Sequence, residues 1–346
     1  MALLKNHQWI YTKRPQSIVT NEHYTLKEST IDTSTIKEGE ALLQSKYWSV
    51  DPYMRIQQSQ HNTWEAPHPL YTVQGGAVVG QVLVCNDPKS NIKTGDWVLS
   101  YTGWQEYAVT KTSELRKLNP NEVPVTTALG ILGMPARIAY FGLIEAGIPK
   151  EGETVAVSGA SGAVGQIVVQ IAKIKGCKVI GIAGSDEKLA YLKNVLGVDQ
   201  VINYKKYPSH QKIKESIKEA CPEGIDIYYD NVGGFITDAI FELINHKARI
   251  IVCGQISQYS GGLDTPEMGP RFLHHILYKR ATIQGVLARD YNDRMDEMLS
   301  EMTPWTKNGS LKYQETIIDG FENLPIALNM LFHGKNKGKL MVKSTI

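Results

Sequence analysis

Cysteine is scarce in this chain of 346 residues. There are four, at Cys85, Cys177, Cys221 and Cys253, too dispersed to form a disulfide framework. Zinc requires three or four converging ligands, and neither these cysteines nor the histidines supply them in a familiar spacing. His61 and His68 stand seven apart in a Pro-rich stretch that reads as an exposed loop, and His274-His275 fits a surface or packing role. The chain is therefore expected to bind no metal. No uncharged apolar run approaches the length that spans a bilayer, and residues 1–7 lack the apolar core of a signal peptide, so a cytoplasmic protein with no membrane partner is expected. A formal net charge of +2 provides no electrostatic reason to expect nucleic acid as a partner. Ser161 lies outside any Gly-x-Ser-x-Gly elbow and has no indicated His partner, which weighs against nucleophilic hydrolysis. Cys253 ends an expected buried strand and reads as a packed thiol rather than a reactive one.

What the chain does have is a glycine-rich turn in an informative place. Thr154 to Val157 is a β-rich run, glycines follow at positions 159, 162 and 165, and a helical pattern runs from Gln166 to Lys175. Strand, glycine turn and helix together form a cradle for a dinucleotide pyrophosphate. The glycines let the backbone approach the phosphates, and the helix start offers unpaired N–H groups and the positive end of its dipole.

Strand-like and helix-like segments then alternate. Lys178–Ala183, Gln200–Tyr204, Ile225–Tyr229, Ala248–Cys253 and Ala281–Leu287 read as strands. Glu187–Leu196, Ile213–Cys221, Phe235–Asn245 and residues 291–307 read as helices. Repeated β-α units favour a parallel, doubly wound sheet. The tip of its second strand decides between cofactors. An acidic residue there would bind the ribose 2′-hydroxyl of NAD. This chain has Gly184-Ser185, with Lys188 one turn into the next helix, a set suited to a 2′-phosphate. One charge-assisted hydrogen bond there favours NADPH over NADH by roughly ten- to a hundredfold. Asp186 and Glu187 complicate this reading, since either could bind ribose or simply complement the helix dipole.

The length exceeds one comfortable core, and 42% hydrophobic with 21% charged residues fits a globular protein of two domains. Residues before about 125 look mainly β, with short runs such as Thr72–Cys85 and Asp96–Tyr101 between turn signals. Strand-like Tyr313–Ile318 and Lys339–Val342, with a helix at Leu324–Leu331 between them, indicate that the C-terminal segment returns to complete that domain. The expected division is 1–125 with 308–346 as one domain and 126–307 as the other. Gly261 to Pro270, with turn residues at both ends, reads as a lid that orders when ligand binds.

Eight short motifs occur in order along nearly the whole chain. They are Val50-Asp-Pro-Tyr-Met-Arg55, Gly133-Met-Pro135, Ala160-Ser-Gly-Ala-Val-Gly165, Gly184-Ser-Asp-Glu-Lys188, Asn203-Tyr-Lys205, Tyr229-Asp-Asn-Val-Gly-Gly234, Cys253-Gly-Gln-Ile-Ser-Gln-Tyr259 and Gly334-Lys-Asn-Lys-Gly-Lys339. Together they resemble the zinc-independent branch of the medium-chain dehydrogenase/reductase superfamily, which holds leukotriene/prostaglandin reductases, alkenal double-bond reductases and curcumin reductase. The resemblance implies an α/β protein with a GroES-like, mainly β substrate domain and a Rossmann NADP-binding domain, acting as a cytosolic homodimer. It also implies NADPH-dependent reduction of the carbon–carbon double bond of α,β-unsaturated ketones and aldehydes.

By that resemblance the pyrophosphate loop falls on Gly162, Ala163, Val164 and Gly165, and the 2′-phosphate contacts fall on Lys188 and Tyr204, beside Ser185. Asn231, Cys253, Gly254 and Tyr259 line the nicotinamide half, which Val286, Leu287, Ala288 and Asn336 complete. The family commonly has Gly-Met-Pro-Gly, a bulky residue and Thr-Ala-Tyr, where this chain has Gly133-Met-Pro-Ala-Arg-Ile-Ala-Tyr140. Ala136 and Ile138 thus replace a glycine and a hydroxyl, which bears on substrate shape.

Hydride transfer to the β-carbon of an enone drives charge onto the carbonyl oxygen, and the α-carbon must then take a proton. Tyrosine can donate while neutral at pH 7. Tyr259, after the fifth strand of the nucleotide sheet, and Tyr53, in the β domain, are the two catalytic candidates; the cofactor's ribose hydroxyl is a further donor. Arg55 reads as a structural ion-pair partner. Two alternatives stay open: an NADP-linked alcohol dehydrogenase or quinone reductase on the same scaffold, and a non-catalytic NADPH-binding protein.

Overall fold

The structure is a computed structural model that describes residues 3–60, 63–207, 209–262, 265 and 267–346. The expectation for His61 lies outside the described residues, as does the part of the lid expectation that falls on Leu263, Asp264 and Pro266. The chain divides into two compact units. The first comprises 1–129, 315–336 and 340–346, and the second 130–314 and 337–339.

The first unit is mainly β. It opens with β1 (Leu3–Tyr11), β2 (Tyr24–Asp32), β3 (Glu40–Ser49) and the short helix α1 (Tyr53–Gln57). β4 (Thr72–Val73), β5 (Val78–Asn86), β6 (Trp97–Ser100), β7 (Tyr107–Lys111) and β8 (Arg116–Leu118) follow. The expected single run Thr72–Cys85 is two strands, because the chain turns at Gln74–Ala77 to pass Met54; a side chain at Gly76 would meet the Met54 methyl at 2.8 Å.

The second unit begins with α2 (Met134–Phe141) and then alternates. Its elements are β9 (Thr154–Ser158), α3 (Gly165–Ile174), β10 (Lys178–Ala183), α4 (Asp186–Asn194), β11 (Gln200–Asn203), α5 (His210–Ala220), β12 (Ile225–Asp230), α6 (Gly234–Phe241), β13 (Ile244–Val252), α7 (Leu273–Lys279), β14 (Thr282–Gly285) and α8 (Met295–Lys307). The chain then returns to the first unit with β15 (Glu315–Asp319), α9 (Leu324–Phe332) and β16 (Lys339–Lys343).

In the first unit, three strands pair as β2-β1-β4, and seven form a sheet ordered β15-β16-β3-β5-β6-β8, with β7 also on β3. Its core is aromatic: Tyr11, Trp48 and Trp104 are fully buried beside Phe321 and Leu328. The returning β16 lies antiparallel to β3, Met341 opposite Ser49, so the C-terminal segment does complete this sheet.

In the second unit all six strands are parallel, in the order β11-β10-β9-β12-β13-β14. The strand β9, Thr-Val-Ala-Val-Ser, is buried at every position, as a central strand covered on both faces must be. The fold is thus the expected α/β class, a mostly β domain plus a Rossmann-like parallel sheet. The strand order reverses between β9 and β12, and ligands of such sheets bind outside the carboxyl ends at that switch.

Among the boundaries that differ from the sequence reading, two have a clear structural cause. The helix expected over Phe235–Asn245 stops at Phe241, because Ile244 already pairs with Ile225 and Asn245 donates to Asp226 at 2.9 Å. The helix expected from Tyr291 begins only at Met295. Tyr291 takes a non-helical backbone (φ −117°, ψ 22°), and its ring stacks on Phe141 at 4.6 Å.

Candidate active site

The carboxyl end of β9 leads directly into the glycine turn. Gly162 N–H closes it onto the Gly159 carbonyl at 2.9 Å. Glycine at position 165 is obligatory, since a Cβ would lie 2.3 Å from the Gly159 carbonyl oxygen and 2.7 Å from the Ala160 Cα. This close approach brings the start of α3 against the strand end, and no side chain caps that helix at Val164. Ala163 and Val164 complete the turn. A distant segment holds the loop: Gly338 N–H donates to the Ser161 carbonyl at 3.1 Å, and Gln166 Oε1 accepts from Gln314 N–H at 2.9 Å.

At the tip of β10, Ser185 caps α4 by accepting from Lys188 N–H at 3.3 Å. Tyr204 packs over Gly184, where a Cβ would sit 2.9 Å from its ring. Burial, with the nearby charge of Lys205, lowers the Lys188 pKa, and burial raises that of Tyr204. The two acidic residues that complicated the reading are engaged elsewhere. Asp186 accepts from Asn203 Nδ2 at 2.9 Å and pairs with Lys206 at 2.9 Å, while Glu187 pairs with Lys337. Both sit in the first turn of α4, where they complement its dipole.

The ends of β12, β13 and β14 bring the next group together. Asn231 follows β12 and is fixed by Ser158, whose carbonyl accepts from its Nδ2 at 2.7 Å and whose hydroxyl accepts from its N–H at 2.9 Å. Cys253 and Gly254 both donate backbone N–H to the Asp230 carbonyl, at 2.9 and 3.1 Å. Cys253 lies one residue beyond β13 and is half-buried, so it does not end the buried strand as expected; the strand closes at Val252, where Val286 N–H pairs across from β14. Burial pushes its thiol up to about 12, which keeps it protonated and unreactive. Val286 is buried, while Leu287 and Ala288 are half-buried.

Tyr259 is 8% exposed, and its hydroxyl oxygen accepts from Gln255 N–H at 2.8 Å. Burial pushes its phenol up to about 12. Tyr53 and Asn336 belong to the first unit, Tyr53 at the start of α1 and Asn336 in the turn before β16. Tyr53 is half-buried against the aromatic core, and burial, with Asp51 nearby, raises its pKa well above the ordinary phenol value. Arg55 is structural, donating to the carbonyls of Pro15 and Ser17 at 3.0 and 3.1 Å. His68 is not an exposed loop residue: it is half-buried, packs against Tyr11 at 5.7 Å, and burial lowers its pKa. His274 is exposed on α7 with its ring tilted against that of His275, in keeping with a surface role.

The residues that the sequence reading missed are the ones that hold this corner. Asp230 is buried and accepts from Ser158, Tyr228, Thr237 and the backbone N–H groups of Val232 and Gly233. An acid that ends an apolar strand, just before Asn-Val-Gly-Gly, was the signal that could have found it.

Two family models match the chain: one described as zinc-binding dehydrogenase over residues 163–304, and one described as N-terminal domain of oxidoreductase over residues 7–118. The NADPH-dependent curcumin reductase of Escherichia coli (strain K12) is 40% identical over 342 residues, spanning 98% of this chain and 97% of that protein. The chain belongs to the medium-chain dehydrogenase/reductase family. Another member, the NADP(+)-dependent 2-alkenal reductase of Nicotiana tabacum, is 39% identical over 349 residues, covering 99% and 96%. The crystal structure of CurA in complex with NADPH from Vibrio vulnificus matches with a TM-score of 0.90 at 39% identity, covering 98% of this chain and 99% of that one. Although one family model carries zinc in its description, no group of three or more His, Cys, Asp or Glu side chains is arranged to hold a metal ion among the described residues of this member.

Proposed function

We propose that this member of the medium-chain family is an enone and alkenal reductase that adds hydride to the β-carbon and a proton to the α-carbon of α,β-unsaturated ketones and aldehydes. It is an NADPH-dependent oxidoreductase. The observation that carries the reading is the group at the ends of β12 and β13, where Asn231, Gly254 and a buried, neutral Tyr259 stand beside the β9 switch point. Residues present fit the cofactor. The turn Gly162–Gly165 and the uncapped start of α3 receive a pyrophosphate, and Ser185, Lys188 and Tyr204 receive a 2′-phosphate, with Asp186 and Glu187 drawn aside. Asn231, Cys253, Gly254, Val286, Leu287, Ala288 and Asn336 line the nicotinamide half in this reading.

Bound NADPH supplies the hydride. Tyr259 accepts Gln255 N–H through its oxygen, which leaves its own O–H to donate to the enone oxygen or toward the α-carbon. Tyr53 is the second candidate donor. The chain acts as a homodimer in a reducing compartment such as the cytoplasm. This is supported by the exposed edge strand β14, the exposed Leu273 and Leu277 of α7, and four cysteines in free form.

Loss of NADPH absorbance with a panel of alkenones and alkenals tests the reading, and saturated products are expected. Steady oxidation of secondary alcohols or turnover of quinones with none of the enones would select the alternative enzyme, and tight NADPH binding without any turnover would select a binding protein.

A further inference from the structure

The first turn of α2 carries a cation that nothing neutralises. Arg137 is 9% exposed, and among the described residues its guanidinium meets no carboxylate, carbonyl or aromatic face; its Nε is fully buried without a partner. Arg55, the other arginine in the core, is satisfied, and so is the less buried Arg249. Arg55 donates to two carbonyls, and Arg249 donates to Glu153 through both terminal nitrogens and to the Gly147 carbonyl. An arginine cannot shed its proton to escape burial, and an uncompensated buried charge is strongly destabilising. Trp104 Nε1 and Asn329 Oδ1 are also buried without hydrogen-bond partners, but they carry no charge, and the charged Arg116 and Glu315, which each have a buried unsatisfied atom, make other interactions.

The same turn is short of negative charge in a second way. Gly133 at the N-cap has no side chain with which to cap α2, and Pro135 removes one N–H from the first turn. Helical side chains lean back toward the helix start, so Arg137 leans over that uncapped turn. An uncapped helix start and a guanidinium together favour an anion, and the guanidinium fork matches a carboxylate. Ala136, Ile138 and Phe141 around it are buried and apolar, so the anion must be brought by a ligand. The helix itself is pinned, since Tyr229 on β12 donates its hydroxyl to the Ile138 carbonyl at 2.7 Å.

We propose that Arg137, with the start of α2, binds a carboxylate carried by the substrate, at the end of the molecule remote from its double bond. This rests on the enone-reductase reading and narrows it to enones of fatty-acid type. Arg137 lies in the stretch Gly133–Tyr140 where this chain departs from the common family pattern, so the preference is a property of this member.

The test uses 7-oxonon-8-enoate and its methyl ester with the wild type, Arg137→Leu and Arg137→Lys. The wild type should favour the acid, and the acid-to-ester ratio of kcat/KM should fall on the order of ten- to a hundredfold in Arg137→Leu. Arg137→Lys should keep part of the preference through its charge. An unchanged ratio in Arg137→Leu overturns the proposal, as does a variant whose only defect is a raised KM for NADPH, which would assign the guanidinium to the cofactor. Calorimetric titration of the NADP⁺-loaded wild type with hexanoate and with hexan-1-ol gives an arm that needs no turnover. Binding of hexanoate but not of the alcohol is expected, and failure of hexanoate to bind overturns the proposal. Binding of hexanoate with neither enone reduced would uphold the carboxylate site and overturn only the enone reading.

Discussion

The hydroxyl oxygen of Tyr259 receives the backbone N–H of Gln255, four residues earlier, at 2.8 Å. That bond fixes the ring and occupies an acceptor lone pair, so the phenol proton is the group left to act. Tyr259→Phe keeps the ring and removes that proton. Steady-state kinetics should show kcat for an enone reduced about a hundredfold, in the range for loss of one donor to a developing oxyanion. If kcat holds in Tyr259→Phe and falls in Tyr53→Phe, proton delivery belongs to Tyr53.

Lys188→Met should raise the KM for NADPH by roughly ten- to a hundredfold and leave the KM for NADH unchanged. The pH dependence has a definite sign. Burial foremost, and then the Lys205 charge, lower the Lys188 pKa, so its ammonium is lost at a lower pH than an ordinary lysine's. Phosphate binding needs the cation, so kcat/KM for NADPH should fall as pH rises through that lowered value. The same profile with NADH, or with Lys188→Met, should lack this alkaline limb.

Gly165→Ala would place a methyl group 2.3 Å from a backbone oxygen and 2.7 Å from a backbone Cα. Neither neighbour can rotate away, so the turn itself must move. Thermal unfolding should register a loss of about 1–3 kcal/mol, as for an overpacked site, and titration calorimetry should find NADPH binding abolished.

Glu153 and Arg249 form a bidentate pair, at 2.9 and 2.5 Å, that ties the start of β9 to β13. Burial, the largest single influence, would raise the Glu153 pKa, but the Arg249 hydrogen bonds, the Lys150 N–H and the charges of both residues together outweigh it and the net shift is downward. A depressed folded-state pKa contributes stability that is present above the unfolded value and is lost as pH falls through the folded one. The melting temperature should therefore drop on acidification below about pH 4.3, the ordinary glutamate value. Glu153→Gln should cost about 2 kcal/mol at neutral pH, less than for a fully buried pair because both side chains are partly exposed, and its melting curve should flatten against pH.

The second unit was legible because its signals are local. The apolar run of β9 and the glycine spacing each act within a few residues, and both lie where the sequence placed them. The early start of β13 and the late start of α8 were not legible. They depend on partners far along the chain, Ile225 for the one and the Phe141 ring for the other. The first two strands of the first unit carry mostly polar, exposed or half-exposed residues such as Lys5, Gln8 and Lys27 and show no clear alternation, so only their pairing reveals them. At the site, the candidate residues were drawn from motifs, whereas Ser158, which only holds others in place, left no signature of its own, and Asp230 left only its position at the end of an apolar strand.

The glycine turn after β9 and the start of α3 are tied to Gly338 and Gln314, and the Gln166–Gln314 bonds span 148 residues. During synthesis, then, the nucleotide cradle stays unbuttressed until those late residues have left the ribosome. Acquisition of the nicotinamide coenzyme becomes one of the last events of maturation, and a nascent chain halted before residue 338 would carry the complete glycine sequence yet hold its coenzyme poorly.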